Sequence, residues 1–92
     1  MSKMQELKKY SNVSEVHRRA KQHGLEVYVS TRKDKKYMVY DGRKMIHFGQ
    51  MGYEDYTKHK DKERLHHFRT RNREWASEPK YSAGWLSYHL LW

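Results

Sequence analysis

Hydrophobic residues recur at helical spacing near the start of the chain. The positions that share one helical face are Val13, Val16 and Ala20. Asn12 stands where an N-cap is expected, and Gly24 stands where a helix commonly ends. The pattern therefore predicts a first helix over residues 13–23. Residues 1–11 are polar and weakly patterned, so we expect a polar arm or a short helix ahead of one small domain over residues 12–92.

Three stretches of alternating and β-branched residues follow, and they predict strands over residues 25–30, 37–40 and 44–48. Asp41-Gly42 is a hairpin signal between the second and third strands, because glycine accepts a positive φ. Tight pairing of this hairpin divides its side chains between two faces. The face expected in the core carries Tyr37, Val39, Ile46 and Phe48, with Lys44 near the turn. The opposite face carries Met38, Tyr40, Arg43, Met45 and His47.

The pattern returns to helical spacing in the last third of the chain. Leu65, Phe68, Asn72 and Trp75 recur at steps of three, four and three. They predict a helix that includes residues 58–73 and ends near residues 76–78, because Pro79 disfavours helix in the residue before it. The candidate N-caps are Asp55, Thr57 and Asp61. A short apolar helix is expected from Tyr81 to Trp92. The predicted order, α-β-β-β-α-α, is an α+β fold.

Composition adds a strong positive charge to this picture. The chain has 92 residues, a net charge of +9 and 34% charged residues, while its 14% aromatic content argues against disorder. There is no cysteine, which excludes disulfides and cysteine-ligated zinc. Residues 1–6 lack the apolar core of a signal peptide, so we expect the protein not to be secreted. No apolar run approaches the ~20 residues of a membrane span.

The segment 58–73 holds seven Lys or Arg residues, three His residues and only two acidic residues. A helix with one apolar stripe and cations elsewhere is suited to a polyanion, so the sequence predicts sequence-tolerant binding of nucleic acid, with DNA expected ahead of RNA. The expected primary contacts are Lys58, Lys60, Arg64, Arg69, Arg71 and Arg73. The expected secondary contacts are Arg18, Arg19, Lys21, Arg32, Lys33, Lys35 and Lys36. No catalytic residue and no cofactor is assigned.

Three other groups of residues have both a structural and a functional interpretation. The histidines near Asp61 could ligate a metal, but their spacing favours surface or capping roles, and no metal site is predicted. These histidines are His47, His59, His66 and His67. The tyrosines beside basic residues could stack on unpaired bases, although core packing is the preferred interpretation. These tyrosines are Tyr28, Tyr40, Tyr53 and Tyr56. The aromatic residues Trp85, Tyr88 and Trp92 close the fold or dock a capsid or core protein.

The sequence from Ile46 to Asp61, IHFGQMGYEDYTKHKD, resembles a signature of small basic proteins of nucleocytoplasmic large DNA viruses and some tailed phages. The basic helix and the ending Trp85–Trp92, WLSYHLLW, fit the same pattern, so the resemblance covers about residues 25–92. It implies a viral protein, found in the virion and in the cytoplasm or nucleus of the infected cell. It implies no activity. A structural role in the virion therefore stays open beside nucleic-acid binding.

A second, partial resemblance concerns compact metal-dependent nucleases. Tyr37-Met38-Val39 followed by His47-Phe48-Gly49-Gln50 is similar to the two strand motifs of GIY-YIG endonucleases. The resemblance implies Tyr37, Arg64 and Glu74 as catalytic candidates. The match departs from that family because His47 replaces the second motif's Tyr and the first motif lacks its Gly-Ile. Catalysis is therefore the third alternative.

Overall fold

The computed structural model describes residues 2–92. Its helices and three-stranded antiparallel sheet confirm the α+β class. The N-terminal half consists of α1 (Lys3–Leu7), α2 (Val13–Gln22), β1 (Tyr28–Val29), β2 (Lys35–Tyr40) and β3 (Met45–Gln50). The C-terminal half consists of α3 (Tyr56–His59), α4 (Lys62–Arg71), a 3-10 helix (Arg73–Ser77) and α5 (Ala83–Leu86), which continues into a π-helical segment (Ser87–Leu91). We call α5 and this segment together the C-terminal helix.

The N-terminal segment contributes to the core. Residues 3–7 form a short helix, which was one of the two expectations for this segment. Ser2 and Gln5 cap the start of this helix with a capping box. Leu7 is fully buried with the core residues of α2 and the sheet. The Asn12 side chain accepts a hydrogen bond from the Glu15 N–H, as expected of an N-cap. Residues 3–11 are tied to the domain through the packing of Leu7 and through hydrogen bonds to Tyr10 and Ser11.

The predicted hairpin register is confirmed. Tyr37 pairs with Phe48 and Val39 with Ile46. Three of these four side chains are fully buried, and Ile46 packs partly buried against them. Asp41 stabilises the connection because its side chain accepts hydrogen bonds from the N–H groups of two following residues. The first strand is shorter than predicted, only Tyr28–Val29, although Leu25 and Val27 of its approach are buried.

The predicted basic helix over residues 58–73 is interrupted twice, which corrects that prediction. Lys60 adopts a left-handed conformation with φ of 56°, which ends α3. Asp61 then caps a new helix by accepting hydrogen bonds from the N–H groups of Glu63 and Arg64. After α4, the chain tightens into the 3-10 helix, which ends before Pro79. The α-helical part of the basic segment is therefore Lys62–Arg71.

The C-terminal helix packs on the core through its leucine face and not through the predicted aromatic face. The side chains of Leu86, Leu90 and Leu91 are fully buried between α2 and the sheet. Gly49 permits this close approach because a Cβ there would lie 2.9 Å from Leu91 Cδ1. The aromatic residues of the same helix are only half-buried and lie at its margins. Among residues 2–92, no helix combines the length and apolar character needed to cross a bilayer.

Candidate functional site

Helix α4 lies on the surface and is anchored mainly through one aromatic side chain. None of its residues is fully buried. Phe68 stacks on Trp92 with ring centroids 4.3 Å apart and an interplanar angle of 6°, and it meets Trp75 edge-on at 5.8 Å. The other stripe residues, Leu65 and Asn72, are half-buried. The predicted stripe therefore faces the protein, and the remaining side chains of α4 are exposed.

A cleft of about 860 Å³ opens beside α4. Its walls are the end of β3, residues 53–55, α4, and the start and end of the C-terminal helix. Helix α4 contributes Arg64, His67 and Arg71, which are spaced three and four residues apart and so share one helical face. The cleft also has aromatic and acidic lining. The aromatic side chains are Phe48, Tyr53, Phe68, Trp75 and Trp92, and the acidic side chains are Glu54, Asp55 and Glu78.

Trp75 is held in this cleft by the backbone of the C-terminal helix. A Cβ at Gly84 would lie 2.9 Å from Trp75 Cγ and would also collide with the Glu78 carboxylate. Only glycine therefore lets the indole ring and the carboxylate approach the helix so closely. The sequence predicted Trp75 as an anchor, but it did not indicate that Gly84, Glu78 and Trp75 meet. Nothing in the linear pattern connects the 3-10 helix to the first turn of α5.

Few of the cations in the described residues 2–92 are neutralised by an acidic side chain. Of the twenty Lys and Arg residues, only four lie within 4.0 Å of a carboxylate. Glu15 contacts three of them, which are Arg18, Arg19 and Lys60, and Asp55 contacts Lys36. Burial alone would raise the pKa of the Glu15 carboxyl, but the hydrogen bond from Lys60 and the three positive charges lower it on balance. The excess positive charge therefore remains at the surface.

The predicted primary contacts divide into exposed and engaged side chains. Those that are exposed and outside any ion pair in residues 2–92 are Lys58, Arg64, Arg71 and Arg73. Lys60 is exposed but bound to Glu15. Arg69 donates a hydrogen bond to the Trp92 carbonyl oxygen at 2.9 Å and lies over the Tyr88 ring. Arg69 therefore has a role in attaching the C-terminal helix to α4, which the sequence did not reveal.

The predicted secondary contacts are scattered over the molecule. Lys21, Arg32 and Lys33 are exposed and unpaired within the described chain, while Arg18 and Arg19 contact Glu15. Lys35 is half-buried and lines the cleft. Lys36 is only 2% exposed, so it cannot contribute a surface contact, and its place in the expected set is corrected. Lys36 belongs to β2, which begins two residues earlier than predicted, and its side chain points inward.

Lys36 belongs to a buried polar network that joins three parts of the chain. Its ammonium donates hydrogen bonds to Asp55 Oδ2 at 3.1 Å and to the Tyr10 carbonyl oxygen at 3.2 Å. Thr57 donates its hydroxyl to the other Asp55 oxygen and accepts a hydrogen bond from the Asn12 N–H at 2.9 Å. Burial lowers the pKa of Lys36, and the Asp55 charge opposes that shift. The network fixes the start of α3 against the sheet and the N-terminal segment.

The nuclease candidates do not meet in one site. Tyr37 is fully buried, and its hydroxyl donates a 2.6 Å hydrogen bond to Ser11. Burial also raises the pKa of the Tyr37 phenol, which disfavours its use as a base. Arg64 lines the cleft, but neither Tyr37 nor Glu74 does. The structure therefore gives no geometric support to the nuclease alternative.

The histidines are distributed among several environments. His59 packs against Trp92, and its Nδ1 accepts a hydrogen bond from the Asp61 N–H at 2.9 Å. Burial and the nearby Arg64 charge lower the pKa of His59. His47 lies on the sheet, where its Nδ1 is 2.7 Å from Ser30 Oγ. Within residues 2–92, no three His, Cys, Asp or Glu side chains are arranged to hold a metal ion.

The predicted aromatic contacts also differ in accessibility. Tyr28, Tyr40 and Tyr53 are exposed, and the exposed fraction of Tyr53 reaches 69%. Tyr28 and Tyr40 lie on β1 and β2, whereas Tyr53 lines the cleft. The half-buried aromatic residues of the C-terminal helix contact other side chains of the same chain. Those contacts join Trp85 to His23, Tyr88 to Arg69, and Trp92 to Phe68.

Comparison with known proteins places the middle of the chain in a family. The model of a family of unknown function (DUF5754) matches residues 25–72, which are 48 of the 92 residues. This match begins before β1 and ends just after α4, so it includes the hairpin, most of the buried network and the basic wall of the cleft. No curated protein and no solved structure matches the chain.

Proposed function

The chain belongs to the family of unknown function DUF5754, and we propose that it is a non-enzymatic, sequence-tolerant nucleic-acid-binding protein. The observation that carries this proposal is the outward cationic surface of α4. Its arginines Arg64 and Arg71, with Arg73 just beyond, are exposed and have no carboxylate partner within residues 2–92. Arginine forks of this kind bind phosphate oxygens in pairs.

The driving force in this proposal is phosphate neutralisation. Each cation that neutralises a phosphate releases a condensed counterion, so affinity falls as salt rises. The net charge of +9 favours encounter with any polyanion. Contacts to phosphate fix the position of a protein on a nucleic acid but carry no sequence information. We therefore expect similar affinities for unrelated sequences.

The resemblance of Ile46–Asp61 to the signature of small basic proteins of large DNA viruses supports a further part of the proposal. We propose that the protein belongs to a large DNA virus and acts in the virion and in the infected cell, with DNA as its main partner. A structural role through Trp85, Tyr88 and Trp92 is less favoured, because these side chains already contact His23, Arg69 and Phe68 of the same chain.

The site can be tested by two variants with equal charge. The first changes Arg64, Arg71 and Arg73 to Gln, and the second changes Lys9, Lys44 and Lys80 to Gln. All six side chains are exposed and lie outside ion pairs within residues 2–92, but the second set lies outside α4 and does not line the cleft. The first variant should bind duplex DNA more weakly, with the slope of log K against log salt flattened by about 3.

The control variant should retain most of the affinity and most of the slope. Fluorescence anisotropy of a labelled duplex over a salt series measures both quantities, and thermal unfolding checks that both variants fold. Equal losses in the two variants would contradict a site on α4, because they would show that only net charge matters.

A further inference from the structure

We propose that the cleft beside α4 takes an unpaired nucleotide of a single-stranded nucleic acid. This inference rests on the proposed function and adds a location and a preferred form of the ligand. The phosphate would contact the cationic wall formed by Arg64, His67 and Arg71, and the base would lie against the aromatic lining at Tyr53 and Trp75.

The arginines of the cationic wall are spaced so that they can follow the backbone of a nucleic acid. Arg64 and Arg71 are seven residues apart, which corresponds to about 10 Å along an α-helix. They therefore contact different phosphates rather than one, with His67 between them on the same face. Neither arginine has a carboxylate within 4.0 Å in residues 2–92, so both forks are available to phosphate oxygens.

The aromatic lining of the cleft favours a ligand that contains a base over phosphate alone. Bases stack on aromatic side chains without strong sequence preference, because every base has a π-face. Tyr53 lines the cleft and is 69% exposed. Trp75 is half-buried in the lining and packs closely against Gly84. One exposed ring and one closely packed ring in the same cleft are a suitable arrangement for holding a flat ligand.

The acidic side chains in the cleft determine which end of the nucleotide faces them. Glu54 and Glu78 would repel a phosphate, but a carboxylate accepts hydrogen bonds from the exocyclic amino group of a base. Asp55 is already paired with Lys36 and contributes less negative charge. The phosphate therefore lies on the α4 side, and the base points toward the carboxylates.

The dimensions of the cleft favour an unpaired ligand. Its volume of about 860 Å³ lies within the usual range of small-ligand sites. A base in a duplex has both faces covered by its neighbours and its edge occupied by its partner, so it cannot enter without being extruded at an energetic cost. A single strand presents its bases without that cost, so we expect the cleft to add affinity only for single strands.

The experiment compares two exposed tyrosines. Tyr53→Leu alters the cleft, and Tyr40→Leu alters the sheet, where Tyr40 is 56% exposed. Binding of a fluorescein-labelled single strand and of the corresponding duplex is measured by anisotropy for the wild type and both variants. Tyr53→Leu should weaken single-strand binding by about tenfold and leave duplex binding unchanged, as expected for one lost stacking contact. Tyr40→Leu should change neither.

A second measurement separates a nucleotide site from a phosphate site. Adenosine monophosphate should displace the labelled single strand from the wild type at a lower concentration than inorganic phosphate does. Equal displacement by the two competitors, or single-strand binding that is unchanged in Tyr53→Leu, would overturn the cleft assignment while leaving phosphate binding by α4 intact. Absence of binding to both polymers at low salt would overturn the proposed function and this inference together.

Discussion

The buried pair of Lys36 and Asp55 gives the sharpest stability prediction. Both side chains are at most 3% exposed, and their charged atoms are 3.1 Å apart. Asp55→Ala leaves the ammonium buried beside the Tyr10 carbonyl oxygen alone and removes the acceptor of the Thr57 hydroxyl. Breaking a buried pair by removing one partner typically costs about 3–5 kcal/mol. The variant should therefore lose a large share of the ~5–14 kcal/mol expected for a domain of this size.

The assay is urea unfolding followed by circular dichroism. With a denaturant slope of about 1–2 kcal/mol/M, Asp55→Ala should lower the midpoint by roughly 1.5–5 M, or leave the protein unfolded in buffer. Glu54→Ala is the matched control, since it removes the adjacent carboxylate, which is only half-buried and outside any ion pair in residues 2–92. It should cost about 0.5 kcal/mol or less. Equal small losses in both variants would refute the structural role of the pair.

Two further predictions concern stability. The free energy of unfolding should fall as the pH drops below about 6.5. Burial lowers the pKa of His23 and His59, so the unfolded chain binds more protons than the folded chain in this pH range. Urea midpoints that do not change between pH 7 and 5 would contradict this. Gly49→Ala should cost more than Gly42→Ala in urea unfolding, by about 1–3 kcal/mol, because only the first new Cβ meets Leu91, and equal losses would contradict it.

The sheet and α2 could be predicted because their signals are local. Asp41-Gly42 sets the hairpin, and alternation then puts Tyr37 and Phe48 on the buried face. Asn12 likewise marks the start of α2, because its side chain accepts a hydrogen bond from Glu15, only three residues away. Such features need no knowledge of distant partners, which is why the α+β class could be derived from the pattern alone.

The interruption of the basic helix was missed although a signal was present. Cations lie on both sides of Asp61, at Lys60 and Lys62, so the charge pattern suggested one long helix. The structure shows that Asp61 acts as an N-cap, which was among the candidates considered. Lys60 adopts its left-handed conformation while its ammonium binds Glu15, 45 residues away. A local pattern cannot reveal that constraint.

The cleft could not be predicted because its walls come from distant segments. Trp75 and Gly84 meet only when the C-terminal helix folds back beside α4. Helical spacing also could not distinguish the aromatic face of that helix from its leucine face, since both repeat with the same period. The burial of Lys36 likewise depends on Asp55, nineteen residues away. Each of these contacts depends on the tertiary fold. Taken singly, the residue types involved indicate only a charged or an apolar surface.

The measurement that tests the central claim most directly is the salt dependence of binding by the unmodified protein. Anisotropy titrations of labelled duplex and single-stranded DNA should give tight binding at low salt. Log K should fall linearly with log salt, with a slope of about −0.9 per neutralised phosphate for the duplex, and unrelated sequences should bind alike. Undetectable binding to both polymers at low salt, or affinity independent of salt, would contradict the account.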